Sequence, residues 1–154
     1  MKRNSTSSTR GINIVCAVLM FALLICQFVP FWNLDGETSS IGGYVWFPDD
    51  HSTFTSHFQE TLNDGDFYSG SIAGINVLIM LACVAGVVFC IKNSEDFWPV
   101  VFPVACGILG LYQYLAISVF RLGNNWGIHL VICIAMLVMA IVTFIVWIRD
   151  RKTA

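Results

Sequence analysis

Apolar positions along this chain neither alternate nor follow a helical stripe. They gather into four blocks, residues 11–31, 71–91, 99–119 and 126–148, and no block contains Asp, Glu, Lys or Arg. Each is close to the ~20 residues that cross a hydrocarbon core about 30 Å thick. A helix apolar on every side is at home in lipid, where no water is present to reward a polar face. The pattern predicts an all-α membrane protein, a four-transmembrane-helix up-down bundle. The connection between helices one and two, residues 32–70, is long enough to hold structure of its own. The other links are short, residues 92–98 and 120–125. The second of these is rich in turn formers (Gly123, Asn124, Asn125). Short links force neighbouring helices to pack antiparallel.

Composition agrees with this placement. Of 154 residues, 56% are hydrophobic and 12% charged, against roughly 25% charged in a soluble domain. The mean hydropathy is +0.73. The first block invites a signal-peptide reading, because Lys2, Arg3 and Arg10 precede it. A signal's apolar core spans about 7–15 residues and closes on a small-x-small site. Here the run continues to Val29-Pro30-Phe31-Trp32, which predicts an uncleaved helix.

The net charge of −2 matters less than its distribution. With four spans, Lys2, Arg3, Arg10, Lys92, Arg149, Arg151 and Lys152 fall on one side, and only Arg121 on the other. The positive-inside rule then places both the basic N-terminus (1–10) and the basic C-terminus (149–154) in the cytoplasm. The predicted location is the cell membrane. Asn4-Ser5-Thr6, a formal glycosylation triplet, falls on the cytoplasmic side and is set aside. Trp32, Trp98, Trp126 and Trp147 stand at block edges, where an amphipathic ring favours the headgroup level. Pro99 suits the first turn of helix three.

The outer loop carries the only chemistry outside the lipid. Residues 41–47, Ile-Gly-Gly-Tyr-Val-Trp-Phe, are aromatic and β-branched and stop at Pro48, as a short strand or hairpin arm would. Across 52–62, Phe54, Phe58 and Leu62 recur every four residues behind Ser52, predicting a short amphipathic helix. His57 and Glu60 share a face of that helix, and His51 precedes it. These three form a candidate metal site with N and O donors acceptable to zinc. The alternative is a solvated surface face. Asp64-Gly65-Asp66 reads as a turn, since the EF-hand spacing is absent.

Polar residues inside the spans are the other candidate. Gln27, Asn76, Tyr112, Gln113 and His129 come from all four helices at a similar depth near the outer boundary. Buried polar groups need partners. Two arrangements remain open: a cross-helix hydrogen-bond cluster that holds the bundle, or an outward-facing ligand pocket lidded by the loop. A full ion path is not expected without a carboxylate or lysine in a span.

Two further patterns concern packing. In helix two, Gly70, Gly74, Ala82, Gly86 and Cys90 recur at multiples of four, with Leu78 the one large residue in the row. Small residues allow close backbone approach in membranes. The row is expected to pack inside the bundle or, alternatively, to form a homodimer face through Gly70, Gly74, Ala82 and Gly86. The six cysteines all lie within spans, with none in the outer loop and no C-x-x-C. They read as small packing residues rather than a disulfide or zinc framework.

The arrangement resembles tetraspan membrane proteins in general, which have four spans, inner termini and a long first outer loop. In the claudin-like group that loop carries a tryptophan, then G-L-W, then two cysteines. This chain has Trp32 and Gly43-Tyr44-Val45-Trp46 but neither cysteine. It also lacks the Cys-Cys-Gly of tetraspanins and the paired loop cysteines of four-helix thiol oxidases. The resemblance extends to topology, and topology does not assign function. No cofactor motif is present, and no partner in nucleic acid is implied. The leading expectation is a non-enzymatic accessory or interaction subunit in the bilayer, partnered by another membrane protein or by a second copy. The alternatives are binding or transport of a small neutral or lipidic ligand, and a metal-dependent outward-facing enzyme.

Overall fold

The computed structural model describes residues 7–29, 32–34, 37–39, 67–92, 97–119 and 126–152. Among them are four helices long and apolar enough to cross a membrane. Helix α1 is Ser7–Cys26, α2 Phe67–Ile91, α3 Trp98–Val119 and α4 Trp126–Lys152. They contain 20, 25, 22 and 27 residues, roughly 30–40 Å at 1.5 Å per residue.

The helix limits depart from the apolar blocks in an instructive way. Helix α1 starts at Ser7 and stops at Cys26, not at residues 11 and 31. Beyond it the chain tightens, with Phe28 N–H donating to Ile25 C=O at 2.9 Å and Val29 N–H to Cys26 C=O at 3.3 Å. Pro30 follows, and a residue before proline is driven out of the α region. Hydrophobicity marks depth in the membrane, not helical conformation. At the other extreme, α4 runs past residue 148 through Arg149 and Arg151 to Lys152. Arg and Lys are good helix formers, so leaving the lipid does not end the helix.

The strand expected at 41–47 and the helix expected at 52–62 lie outside the described residues. The described part of that connection is a different segment. Strands β1 (Trp32–Leu34) and β2 (Glu37–Ser39) pair antiparallel, with Trp32 opposite Ser39 and Leu34 opposite Glu37. Trp32 therefore opens a strand rather than ending the first helix.

Cross-helix contacts give the bundle its topology. Gln27 meets Asn76 at one end of α1 and α2, while Met20 meets Gly86 further along. Gly110 faces Cys133, and Gly107 faces Leu137. Cys16 lies beside Thr143. In each pair one index rises as the other falls, so sequence neighbours run antiparallel. Helices α1–α2, α2–α3, α3–α4 and α4–α1 pack side by side, and α1 touches α3 across the diagonal. Both termini thus share one end of the bundle, the terminal end. The opposite end, the loop end, carries the 27–66 connection.

Buried residues recur with a period of three and four. On α1 and the turn after it they are Asn13, Cys16, Met20, Leu23 and Gln27, with Ala17 beside Cys16; on α2 they are Asn76, Ile79, Cys83, Gly86 and Cys90. On α4 they are His129, Cys133, Met136, Ala140 and Thr143. A 3.5-residue seam is the signature of left-handed helix packing. The opposite faces expose Ile14, Val18, Phe21 and Ile25, then Leu81, Val84, Val88 and Ile91. Such outward apolar faces are what a bilayer covers.

The small-residue row of α2 is not one face. At 100° per residue, a step of four turns the row by about 40° each time. Gly86 and Cys90 are buried, whereas Leu78 is exposed. A Cβ on Gly86 would sit 2.5 Å from Met20 Sδ and 2.8 Å from Phe102 Cβ, while one on Gly74 would meet nothing within 4 Å. Gly86 therefore belongs to the interior of this bundle and is unavailable to a homodimer face.

At the terminal end, aromatic rings lock the start of α3 to its neighbours. Phe89, Trp98 and Phe102 lie with centroids 5.5–5.9 Å apart. On the other side Phe97 sits 4.9 Å from Trp147. Val100 and Val101 N–H both donate to Phe97 C=O, and the missing N–H of Pro99 in that first turn is no loss.

Candidate functional site

Gln27, Asn76 and Gln113 reach the bundle axis at the loop end from α2, α3 and the turn just past α1. All three are fully buried. Asn76 Nδ2 donates to Gln27 Oε1 at 2.8 Å, and Gln113 Nε2 donates to the same oxygen at 3.0 Å. Gln27 Nε2 points back at Leu23 C=O, at a long 3.5 Å. The amide orientation follows from this last contact. Reversing Gln27 would aim its oxygen at another carbonyl oxygen and leave the two incoming N–H groups without an acceptor. One side-chain oxygen thus ties together three helices.

The position of Gln27 explains why it can do this. The chain is leaving α1 there, and Gln27 N–H is shared between Leu23 and Leu24 C=O, each at 3.2 Å. The residue still belongs to the buried row of α1, one turn beyond Leu23, so its side chain points inward.

His129 closes the fourth side. Its Nε2 lies 3.1 Å from Gly110 C=O. A carbonyl can only accept, so Nε2 carries the proton and donates. Gly110 is what lets α4 approach. A Cβ there would fall 2.5 Å from Cys133 Sγ and 3.5 Å from His129 Nε2. Tyr112, by contrast, is 48% exposed, on the flank of α3 that faces away from the axis. Four of the five polar residues singled out in the spans therefore converge at one end of the interior, and Tyr112 does not join them. Gln113 Oε1 is a buried acceptor with no hydrogen-bond partner among the described residues.

His51, His57 and Glu60 lie outside the described residues. Among the described residues, no three of His, Cys, Asp and Glu come together as a metal would require.

A second polar level lies at the terminal end. Asn13 and Thr143 are buried there. Thr143 Oγ1 donates to Met139 C=O in its own helix at 2.8 Å, so the Cys16 thiol 3.6 Å away is the donor of the weaker pair. Asn13 is absent from the sequence-based candidates although a signal existed. It continues the three-four row through Cys16, Met20 and Leu23 to Gln27.

Compared with protein-family models, with curated proteins and with solved structures, the chain finds no match. What it does has to be argued from its own residues.

Proposed function

We propose that this chain is a non-enzymatic subunit of a larger membrane assembly, with its basic termini in the cytoplasm and the 32–70 loop outside. The observation that carries this reading is the shared oxygen of Gln27. The buried amide side chains of Gln27, Asn76 and Gln113 are turned on one another and shielded from solvent. In the bilayer such bonds hold helices together. Outside them the spans offer apolar faces, and the apolar blocks 11–31, 71–91, 99–119 and 126–148 hold no Asp, Glu, Lys or Arg of the kind that coupled carriers use. Sidedness rests on the seven basic residues at one end of the predicted topology against Arg121 at the other.

The test is photo-crosslinking in the native membrane from positions on the lipid-facing side of the bundle. A photoreactive residue at Leu81, Val84, Ile108 or Val131, all exposed, should trap a discrete protein partner from at least one helix face. Lipid adducts alone at every position would sink the proposal.

A second reading is favoured by Gln113 Oε1. A buried acceptor without a partner among the described residues invites a small hydrogen-bond donor at the level of Gln27, Asn76 and His129. A single water is the simplest occupant, and a small neutral ligand is the functional one. A tight-binding neutral solute that loses affinity in Gln113→Leu would promote this reading over the first.

A further inference from the structure

The amide cluster at the loop end is satisfied unevenly. Gln27 Oε1 accepts an N–H from Asn76 and another from Gln113. Gln113, which is fully buried, gives one N–H to Gln27 and makes no other side-chain hydrogen bond among the described residues. Its Oε1 accepts nothing there. A primary amide carries two donors and an oxygen with two lone pairs. One donor and one acceptor thus stay open on the same planar group, and buried polar groups are costly to leave unpaired.

The helix limits fix the side from which Gln113 can be reached. Gln27 lies one residue past the end of α1, whereas Asn76 follows nine residues of α2 and Gln113 precedes six more of α3. Toward the loop, α2 and α3 therefore run on for roughly 9–14 Å beyond the amides, and α1 does not. The approach is from the loop end, on the flank where α1 has stopped. Burial sets the size. Gln27, Asn76 and Gln113 are each 0% exposed, and His129, bonded to Gly110 C=O one turn back from Gln113, is 2% exposed. Side chains covered this well admit only a solute of a few heavy atoms.

Building on the ligand-binding reading of Gln113, we propose that this amide recognises a small neutral carboxamide, paired edge to edge. The ligand N–H donates to Gln113 Oε1, and the ligand C=O accepts the open Gln113 N–H. A hydroxyl carries its donor and acceptor on one atom, whereas a carboxamide presents them side by side, as Gln113 does. Charged ligands are excluded, because the apolar blocks hold no Asp, Glu, Lys or Arg to balance them. Carboxylic acids fall under the same exclusion, since they are ionised at neutral pH.

The test uses four solutes of one planar shape that differ in donors and charge: acetamide, acetone, acetate and acetamidinium. Full-length protein labelled with carbon-13 at the glutamine side-chain carbonyl is titrated with each in bicelles. The chain holds three glutamines, Gln27, Gln59 and Gln113, so single Gln→Asn variants assign the signals. Acetamide should move the Gln113 carbonyl signal saturably and downfield, as a carbonyl gaining a donor does. Acetone lacks the N–H and should bind at least about fivefold more weakly. Acetate and acetamidinium should leave the signal in place. In Gln113→Leu, the response of the Gln27 signal to acetamide should vanish. Acetone binding as well as acetamide, or either ion binding better, overturns the carboxamide assignment while a ligand site at Gln113 survives. A signal unmoved by all four, as a resident water would leave it, overturns the inference and the ligand-binding reading together.

Discussion

The two ends of this bundle bury polar side chains in different ways. At the loop end Gln27, Asn76 and Gln113 bond to each other across three helices, through partners 49 and 86 residues apart in the chain. At the terminal end Thr143 turns its hydroxyl onto Met139 of its own helix and accepts only a weak thiol contact from Cys16. The first arrangement sets where helices sit relative to one another. The second mainly satisfies one group locally. A polar residue in a span is therefore not informative by its depth alone; what matters is whether its donor crosses to another helix.

Substitutions can break or sharpen that contrast. The largest effect is expected from neither layer but from the close contact between them. Gly86→Val drives a side chain into Met20 Sδ and Phe102 Cβ. Phe102 Cβ is fixed by its own backbone, so the bundle must open, at a cost of about 1–3 kcal/mol. Thermal unfolding in detergent measures it. Gly74→Ala in the same helix meets nothing and should be neutral, or stabilising by up to about 1 kcal/mol through helix propensity.

Next comes Gln27→Leu at the loop end. It strands the inward N–H groups of Asn76 and Gln113, and stranded buried donors cost about 1–3 kcal/mol. Transmembrane hydrogen bonds average only about 0.6 kcal/mol, so a loss at the upper end would mark the shared acceptor as unusually important. The smallest effect belongs to the terminal end. Thr143→Val removes a bond made within one helix and should shift stability by about 0.5 kcal/mol or less. If Thr143→Val proved as damaging as Gln27→Leu, the distinction between the two ends would not stand.

Much of this architecture was legible from hydropathy. Four uncharged blocks predicted four spanning helices, and of the polar residues at a common depth Gln27, Asn76 and Gln113 bond to one another, while His129 bonds to Gly110 C=O. The misplacements have definite causes. Residues 28–31 are apolar, yet the helix ends at Cys26 because Pro30 works against continuation. Asp35-Gly36, a dipeptide favoured between paired strands, separates β1 from β2, while the apolar run into Trp32 has the composition of a longer helix. The row of small residues on α2 packs inside the bundle only in part, at Gly86 and Cys90, because its spacing of four rotates away from a seam of three and four. Tyr112 was grouped by depth with Gln113, but adjacent residues differ by 100° around the helix, and only one of them can face the axis. The approach of the buried Cys83 and Cys106 thiols, 3.7 Å apart, was not readable at all. It depends on the relative rotation of α2 and α3, which packing decides and neither helix encodes alone.

The most direct test of the account compares Gln27→Leu with the triple variant Gln27→Leu/Asn76→Leu/Gln113→Leu, using reversible unfolding in bicelles. If the two donors serve the Gln27 oxygen, replacing them together with it also removes the N–H groups that Gln27→Leu leaves unpaired, and the triple variant should recover part of the stability lost by the single one. Losses that instead add, with the triple variant far less stable than Gln27→Leu, would contradict the account and show that each amide has a separate partner of its own.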